Sequence, residues 1–253
     1  MHVLELLAGL MLIQANAATL ETSSAYANPT LSGFVSIENT RVIDGAAYGD
    51  GDGMLGGGLI YAHPTGLFAG TELLAGNGDG LSLPRGTLLA LQAFAGYTAA
   101  VGEHRFAVQL LEYRLQANDD AEALESADAT FNYPGIGFTY RRGPFQVELA
   151  REFDRPYFYH YQNRFFRYDT SRLVIGWQQD FSESLAWSLG AGMNRLDWVD
   201  ADYRYVTASL QGRFRDLRWR LGYSHAGEDL DALYGHIDRG QWLLRIALPF
   251  HIF

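Results

Sequence analysis

The stretch that decides the fold is SRLVIGWQQDFSESLAWSLGAGMNRL, residues 171–196. Large apolar side chains stand at every second position on both sides of the short segment DFSES (180–184), and Gly, Ser, Gln and Asn fill many of the positions between them. A repeat of two puts the apolar side chains on one face of a β-strand, and it does not fit an amphipathic helix, whose repeat is 3.6. The stretch therefore predicts a β-hairpin with one apolar face.

The same alternation continues along the chain from Leu31 onward. It predicts twelve strands, at approximately 31–39, 54–62, 67–75, 87–99, 105–115, 129–141, 145–154, 171–179, 185–196, 203–214, 217–226 and 240–253. In the last strand the apolar face runs from Trp242 to Ile252, and the other face carries Gln241, Arg245 and His251.

The connections between these strands alternate strictly between long and short. The short turns are 63–66, 101–104, 142–144, 180–184 and 215–216, and the long linkers are 40–53, 76–86, 116–128, 155–170, 197–202 and 227–239. This order is typical of an all-β, antiparallel up-and-down transmembrane β-barrel, with short periplasmic turns and long outer loops. About twelve strands are expected, with ten to fourteen as the range. An even number places both termini on the periplasmic side.

A soluble β-sandwich is the alternative, since its strands also alternate. Three features favour the membrane barrel. The strands are about 9 to 12 residues long, which fits a tilted membrane crossing; the second face is rich in Gly; and aromatic residues lie near the strand ends, as interfacial girdles require. These aromatic residues include Trp187, Trp198, Trp219, Trp242, Tyr97 and Tyr140.

Composition excludes several function classes. The chain has 253 residues, 48% of them hydrophobic, and its net charge of −10 argues against a nucleic-acid partner, whose phosphates it would repel. All 19 basic residues are Arg. With no Cys, disulfides, thiolate metal sites and Cys nucleophiles are absent. The sequence predicts no cofactor.

The N-terminus carries the features of an export signal. Residues 3–13 are apolar except for Glu5, and small residues at Ala15 and Ala17 fit signal-peptidase cleavage before Ala18. We therefore expect a signal peptide at 1–17, a periplasmic segment at 18–30 and the barrel at 31–253. A later cleavage after Ala27 and a buried N-terminal helix are the alternatives. Because no segment has about 18 uninterrupted apolar residues, no membrane-spanning helix is expected, and the outer membrane is the predicted location.

The segment Gly45–Asn77, GAAYGDGDGMLGGGLIYAHPTGLFAGTELLAGN, carries a family resemblance. It resembles the early region of the uncharacterised proteobacterial Gcw_chp family, which has an Asp-Gly loop, then Gly-Gly-hydrophobic-x-Tyr, a turn, and Gly-hydrophobic-x-Ala-Gly. Residues 57–61 and 66–70 occupy those places, whereas the Arg-Gly that often precedes the loop is missing here, because Val42 follows Arg41. The resemblance implies an outer-membrane barrel and no particular chemistry.

Two candidate reactive sites are weak. Alternating Asp in residues 49–53 (GDGDG) suits a hard cation, but no bidentate Glu follows in 54–61, so a flexible acidic loop is favoured over a calcium site. For a hydrolase, His160 with Asp169 and Ser171, or His225 with Ser224, would be the candidates. Neither set has a nucleophile-elbow motif. The sequence therefore predicts that the protein is not an enzyme.

An aromatic cluster occupies the fourth long linker. Tyr157, Tyr159, Tyr161, Phe165 and Tyr168 lie there together with arginines. They could stack on a sugar ring, but the favoured interpretation is that the flanking strands extend above the membrane and place these rings in the outer girdle.

The remaining functional signal is polarity on the predicted lumen face. The lumen-lining candidates are Arg172, Arg213, Arg218, Arg220, Arg245, Glu72, Glu148 and Glu152. The first and fifth strands were ambiguous in parity, so they contribute no residue. The last three strands offer four arginines and no acid, and Glu72, Asp216, a loop acid or a bound anion could compensate them.

These residues leave three hypotheses open. The first is a narrow channel for small solutes, with anions as a candidate class. The second is a structural barrel whose lumen its own ion pairs close, and the third, least favoured, is an outer-membrane enzyme. The expected partners are outer-membrane lipid, lipopolysaccharide and small solutes.

Overall fold

The computed structural model describes residues 28–39, 41–43, 46–48, 53–77, 86–119, 128–159, 164–182, 184–197, 201–227 and 240–253. Regular structure in these ranges is entirely β. The strands are β1 (Thr30–Glu38), β2 (Arg41–Ile43), β3 (Ala46–Tyr48), β4 (Met54–Ala62), β5 (Leu67–Asn77), β6 (Gly86–Val101), β7 (His104–Asp119), β8 (Asp128–Arg142), β9 (Phe145–Tyr159), β10 (Arg164–Ser182), β11 (Leu185–Leu196), β12 (Ala201–Phe214), β13 (Leu217–Ala226) and β14 (Gly240–His251). The expected signal peptide at 1–17 and most of the segment at 18–30 lie outside the described residues.

Twelve of these strands form one closed antiparallel barrel, in which each strand pairs with its neighbour in the chain and β1 also pairs with β14. The predicted twelve-stranded up-and-down barrel is therefore confirmed. The strands β2 and β3 form a separate two-stranded sheet within the linker 40–53, which the sequence pattern had indicated only as a long loop. Within the described ranges, no helix is long and apolar enough to span a membrane.

The register of the strands gives the barrel its tilt. Each residue pairs with one on the next strand, and a path of such pairs leads once around the barrel and back to β1. It arrives about 16 residues from the starting residue, which is the shear number of the barrel. For twelve strands this stagger corresponds to a tilt of about 45° from the barrel axis, close to the range of membrane barrels. The tilt brings side chains from several strands to one height in the lumen.

Burial alternates along the strands and separates two faces. Ile175, Leu189 and Leu244 are 47%, 49% and 46% exposed, although they are large apolar side chains in the middle of their strands. Soluble monomers seldom expose a continuous apolar surface of this kind. The outer face of the barrel is therefore suited to lipid, and the side chains between these positions point into the lumen.

Glycines on the lumen face make room for rings from neighbouring strands. A Cβ atom at Gly96 would lie 2.5 Å from the ring of Phe68, and one at Gly192 would lie 2.2 Å from the ring of Tyr205. Atoms of these rings occupy the space that a Cβ atom would take, so the interior is filled close to the wall. This packing explains why Gly is frequent on the face that does not contact lipid.

Candidate functional site: the barrel lumen

One half of the lumen wall, on β4 to β8, is lined by aromatic and aliphatic side chains. Tyr113 on β7 and Tyr133 on β8 face each other in register, with ring centroids 4.7 Å apart and planes inclined by 13°. Together with these two, the buried cluster contains Ile60, Phe68, Phe94 and Leu111. Offset stacking of large rings stabilises this half beyond the burial of its area.

The other half, from β9 round to β1, carries most of the buried charges. Its central pair joins Arg172 of β10 to Glu148 of β9, with 2.7 Å between Arg172 Nη2 and Glu148 Oε1. The side chains are only 4% and 1% exposed. A charge-assisted hydrogen bond of this length in a region sheltered from water is strong, because there is little solvent to screen it. The pair joins two adjacent strands inside the barrel.

A second pair lies nearer the long-loop end of the same two strands. Arg155 Nη1 donates to Glu152 Oε2 over 2.9 Å, and Thr170 Oγ1 lies 3.5 Å from the same oxygen. Asp154 between them has a φ of 57°, and the register of β9 with β10 shifts beside it. This β-bulge changes the alternation, so Arg155 is largely buried beside Glu152. Because the sequence pattern assumes an uninterrupted alternation, it did not identify Arg155.

The arginines of β13 and β14 have a partner that the sequence analysis omitted. Arg245 of β14 stands opposite Glu38 of β1 in register, with 3.2 Å between Arg245 Nε and Glu38 Oε1. Ser36 Oγ donates to Glu38 Oε1 over 3.3 Å, and the Arg245 guanidinium lies 5.0 Å from the ring centroid of Phe34. This acid lies on β1, whose parity the sequence pattern leaves ambiguous, and it is a partner for Arg245 beside those that the sequence suggests, Glu72 and Asp216. In the sequence, apolar Val35 and Ile37 alternate with polar Ser36 and Glu38, and this alternation is the signal that places Glu38 on the lumen face.

The other lumen candidates occupy different levels. Arg218 and Arg220 are 8% and 6% exposed, and Arg220 stands opposite Arg245 in register. Glu72 is 7% exposed on β5. Arg213, in contrast, is exposed at the short-turn rim, where its Nε donates to the carbonyl oxygen of Arg215 over 2.7 Å. Arg213 therefore lies at the rim of the barrel and not in its interior.

The buried charges nearly balance one another. Among the described residues, the inward side chains that are buried or largely buried include four acids, Glu38, Glu72, Glu148 and Glu152, and five arginines, Arg155, Arg172, Arg218, Arg220 and Arg245. Inward side chains such as Thr139 and Asn194 are at most 1% exposed. The lumen of this structure is therefore tightly packed, and its charges largely neutralise one another.

The other candidate sites do not come together as a reactive centre. Ser224 is buried inside the barrel and His225 is exposed on its outer side, so the two side chains lie on opposite faces of β13. Asp169 accepts hydrogen bonds from Arg151 and from the backbone N–H of Asp154. His160 and the residues before Gly53 in the acidic loop lie outside the described part of the chain.

The strands that flank the aromatic cluster are longer than predicted. β9 reaches Tyr159 and β10 begins at Arg164, so only residues 160–163 separate them. The favoured interpretation of the cluster requires this extension, and the placement of the rings in an outer girdle stays a prediction. Tyr168 is buried, Tyr161 lies outside the described residues, and for Tyr157, Tyr159 and Phe165 the structure describes the backbone alone.

Comparisons with known proteins support the fold. No protein-family model and no curated protein matches the chain. An outer membrane channel from Pseudomonas putida F1 superposes with a TM-score of 0.53 at 11% identity, covering 91% of this chain and 98% of that one.

Two further solved structures are less similar. The toluene transporter TodX of Pseudomonas putida gives a TM-score of 0.49 at 13% identity, with 94% and 93% of the two chains covered. The KdgM porin gives 0.48 at 7% identity, with 88% and 99% covered. The TM-scores of TodX and KdgM, 0.49 and 0.48, are too low to support an argument. The first similarity, at 11% identity, concerns the fold alone. The chain thus has the fold of outer-membrane β-barrel proteins, and its Gcw_chp resemblance has no support beyond the segment Gly45–Asn77.

Proposed function

We propose that this protein is an outer-membrane channel for small solutes whose lumen is narrowed at rest by its own ion pairs. The observation that carries the proposal is the row of buried charges from Glu148 and Arg172 round to Arg245 and Glu38. Ionisable side chains at membrane depth are costly, and they commonly mark the path of a solute. Apolar side chains of similar volume would close a purely structural lumen at no loss of stability.

The proposed orientation places the short turns and both strand termini in the periplasm, and the long loops outside. It is supported by the general arrangement of bacterial membrane barrels, which have short periplasmic turns. β1 begins and β14 ends at the short-turn rim, where the backbone N–H of Leu31 donates to the carbonyl oxygen of Phe253 over 2.9 Å. We also propose that residues 1–17 are an export signal and that the chain belongs to the Gcw_chp-type family.

The preference for anions that we propose is weaker than the four arginines of the last three barrel strands alone would predict. Glu38 lies against Arg245, and the largely buried arginines of the described wall exceed the buried acids by only one, Arg155. The field inside the lumen therefore has little net sign, so we expect only a slight preference for anions over cations. Small polar solutes are the proposed cargo.

Planar-bilayer recordings test the channel directly. We expect the wild-type protein to show small and intermittent conductance steps, and the double variant Glu148→Ala with Arg172→Ala to show larger ones, because the central constriction is removed. The matched control removes an exposed pair at the short-turn rim, Glu103 with Arg142, whose atoms are 3.6 Å apart. This control should conduct like the wild type. Absence of conductance in all three proteins would contradict the channel.

A closed structural barrel is the second candidate, and the burial of the inward side chains favours it. Thr139 has no exposed area, and Glu148 and Asn194 are at most 1% exposed. If the recordings are silent while the protein migrates differently before and after heating in detergent gels, the barrel is folded and closed. We propose no enzymatic role, since the reactive candidates on the described strands do not converge.

A further inference from the structure

The outer surface of β9 to β12 changes from apolar to charged near the long-loop end. The outward-facing residues, in order toward the long loops, are Met193 and Arg195 on β11, with Asp197 just after the end of that strand, and Val206, Arg204 and Asp202 on β12. On both strands an arginine follows the apolar band and an aspartate follows the arginine. Two adjacent strands thus repeat one layered order.

The arginine layer continues across the neighbouring strands. In register, Arg151 of β9 stands opposite Ser171 of β10, and Ser171 stands opposite Arg195 of β11. Arg151 and Arg195 are 45% and 58% exposed. The row therefore presents guanidinium groups and a hydroxyl group on the outside of the barrel wall and not in the lumen.

Acidic side chains hold the first of these arginines in position. Arg151 Nη2 lies 3.1 Å from Oδ2 of Asp169, on β10, and 3.1 Å from Oδ2 of Asp197, which directly follows β11. One nitrogen thus meets both acids. A guanidinium has five N–H donors, so donors remain for an external anion. The three strands together position the group before any ligand arrives.

We propose that Arg151, Arg195 and Arg204 bind a phosphate group of a phosphorylated lipid in the outer leaflet. The inference rests on the proposed orientation, in which this end of the barrel meets the outer leaflet. Phosphate oxygens accept paired hydrogen bonds from guanidinium groups. The level of the row fits a headgroup, because the apolar band lies directly below it.

That apolar band favours a lipid over free phosphate. Leu149 precedes Arg151 on the outer face of β9 and is 47% exposed, and Val206 precedes Arg204 in the same direction on β12 and is 54% exposed. Acyl chains can cover these side chains while the phosphate contacts the arginines. Inorganic phosphate would gain only the polar half of this site.

The chain offers a matched control at the other end of the barrel. Arg142 lies at the short-turn rim and is 59% exposed, against 58% for Arg195, and it also lies beside one acid, Glu103. It has no neighbouring arginine row among the described residues of the outer face. Its removal changes the net charge by one without touching the proposed site.

Binding of lipid A to the purified full-length protein in detergent tests the proposal. The probes are lipid A with its phosphates, lipid A from which they have been removed, and inorganic phosphate, measured by native mass spectrometry. We expect the double variant Arg195→Ala with Arg204→Ala to bind phosphorylated lipid A at least about tenfold more weakly than the wild type. The variant with lysine at both positions should retain most of the affinity, and Arg142→Ala all of it.

Three results would overturn the proposal. Dephosphorylated lipid A could bind as tightly as lipid A with its phosphates, or inorganic phosphate could compete for the site as strongly as lipid A. Arg142→Ala could also lose as much affinity as the double variant Arg195→Ala with Arg204→Ala. Heat-dependent gel migration shows whether each variant is folded, and the lysine variant keeps the test valid if the alanine variant is not. Binding in detergent does not depend on which way the barrel faces or on whether it conducts. A negative result here is therefore distinct from a failure of the proposed channel.

Discussion

The ion pair between Glu148 and Arg172 gives the sharpest stability prediction. Its atoms are 2.7 Å apart and its side chains are at most 4% exposed. Removing one member of such a buried pair leaves the other charge without compensation, which costs about 3–5 kcal/mol. We therefore expect Glu148→Gln and Arg172→Met each to lower the free energy of unfolding by roughly this amount. The double variant should lose at least about 2 kcal/mol less than the sum of the single losses.

Reversible urea unfolding in phospholipid vesicles, followed by tryptophan fluorescence, measures these differences. The exposed pair of Arg142 and Glu103, 59% and 80% exposed, is the matched control, and its loss should cost no more than about 1 kcal/mol. Two results would refute the reasoning: single variants within about 1 kcal/mol of the wild type, or strictly additive losses in the double variant. Either would mean that water screens this part of the lumen.

Two further predictions concern the faces of the barrel wall. Leu244→Arg should lower the free energy of unfolding by about 2–4 kcal/mol, because the charge would enter lipid. Gln178→Arg on the lumen face should lower it much less. Equal losses for the two variants in the same urea assay would mean that the faces are misassigned. Gly96→Ala should destabilise by about 1–3 kcal/mol, since its Cβ would lie 2.3 Å from the backbone oxygen of Val108. Gly176→Ala, whose nearest neighbour would be 3.7 Å away, is the control and should be close to neutral.

The sequence predicted the strand count and order because lipid imposes a strict alternation on every strand that crosses it. It predicted the long-loop end of β7 less well, because this strand reaches Asp119, beyond the expected 115. The strand hydrogen bonds continue above the apolar band, where outward residues such as Glu112 and Arg114 are polar and the pattern no longer marks the lipid face.

The ion pairs of the lumen were only partly predictable. Glu148 and Arg172 follow from parity on adjacent strands, whereas the pairing of Glu38 with Arg245 depends on closure of the barrel between the first and last strands. Arg155 depends on a bulge at Asp154, which an alternating pattern cannot indicate. Closure and bulges are properties of the assembled sheet, so the local sequence pattern does not contain them.

Site-directed spin labelling of β14 tests the central claim, a membrane-spanning barrel with a packed lumen. The chain has no cysteine, so single variants at Ile246, Ala247 and Leu248 can be labelled without further changes. In lipid vesicles, labels at 246 and 248 should be readily accessible to oxygen dissolved in the bilayer. The label at 247, whose native side chain is 2% exposed, should be poorly accessible both to oxygen and to a water-soluble nickel complex. Equal oxygen accessibility at all three positions would contradict the barrel in the membrane, and high nickel accessibility at 247 would contradict the packed lumen.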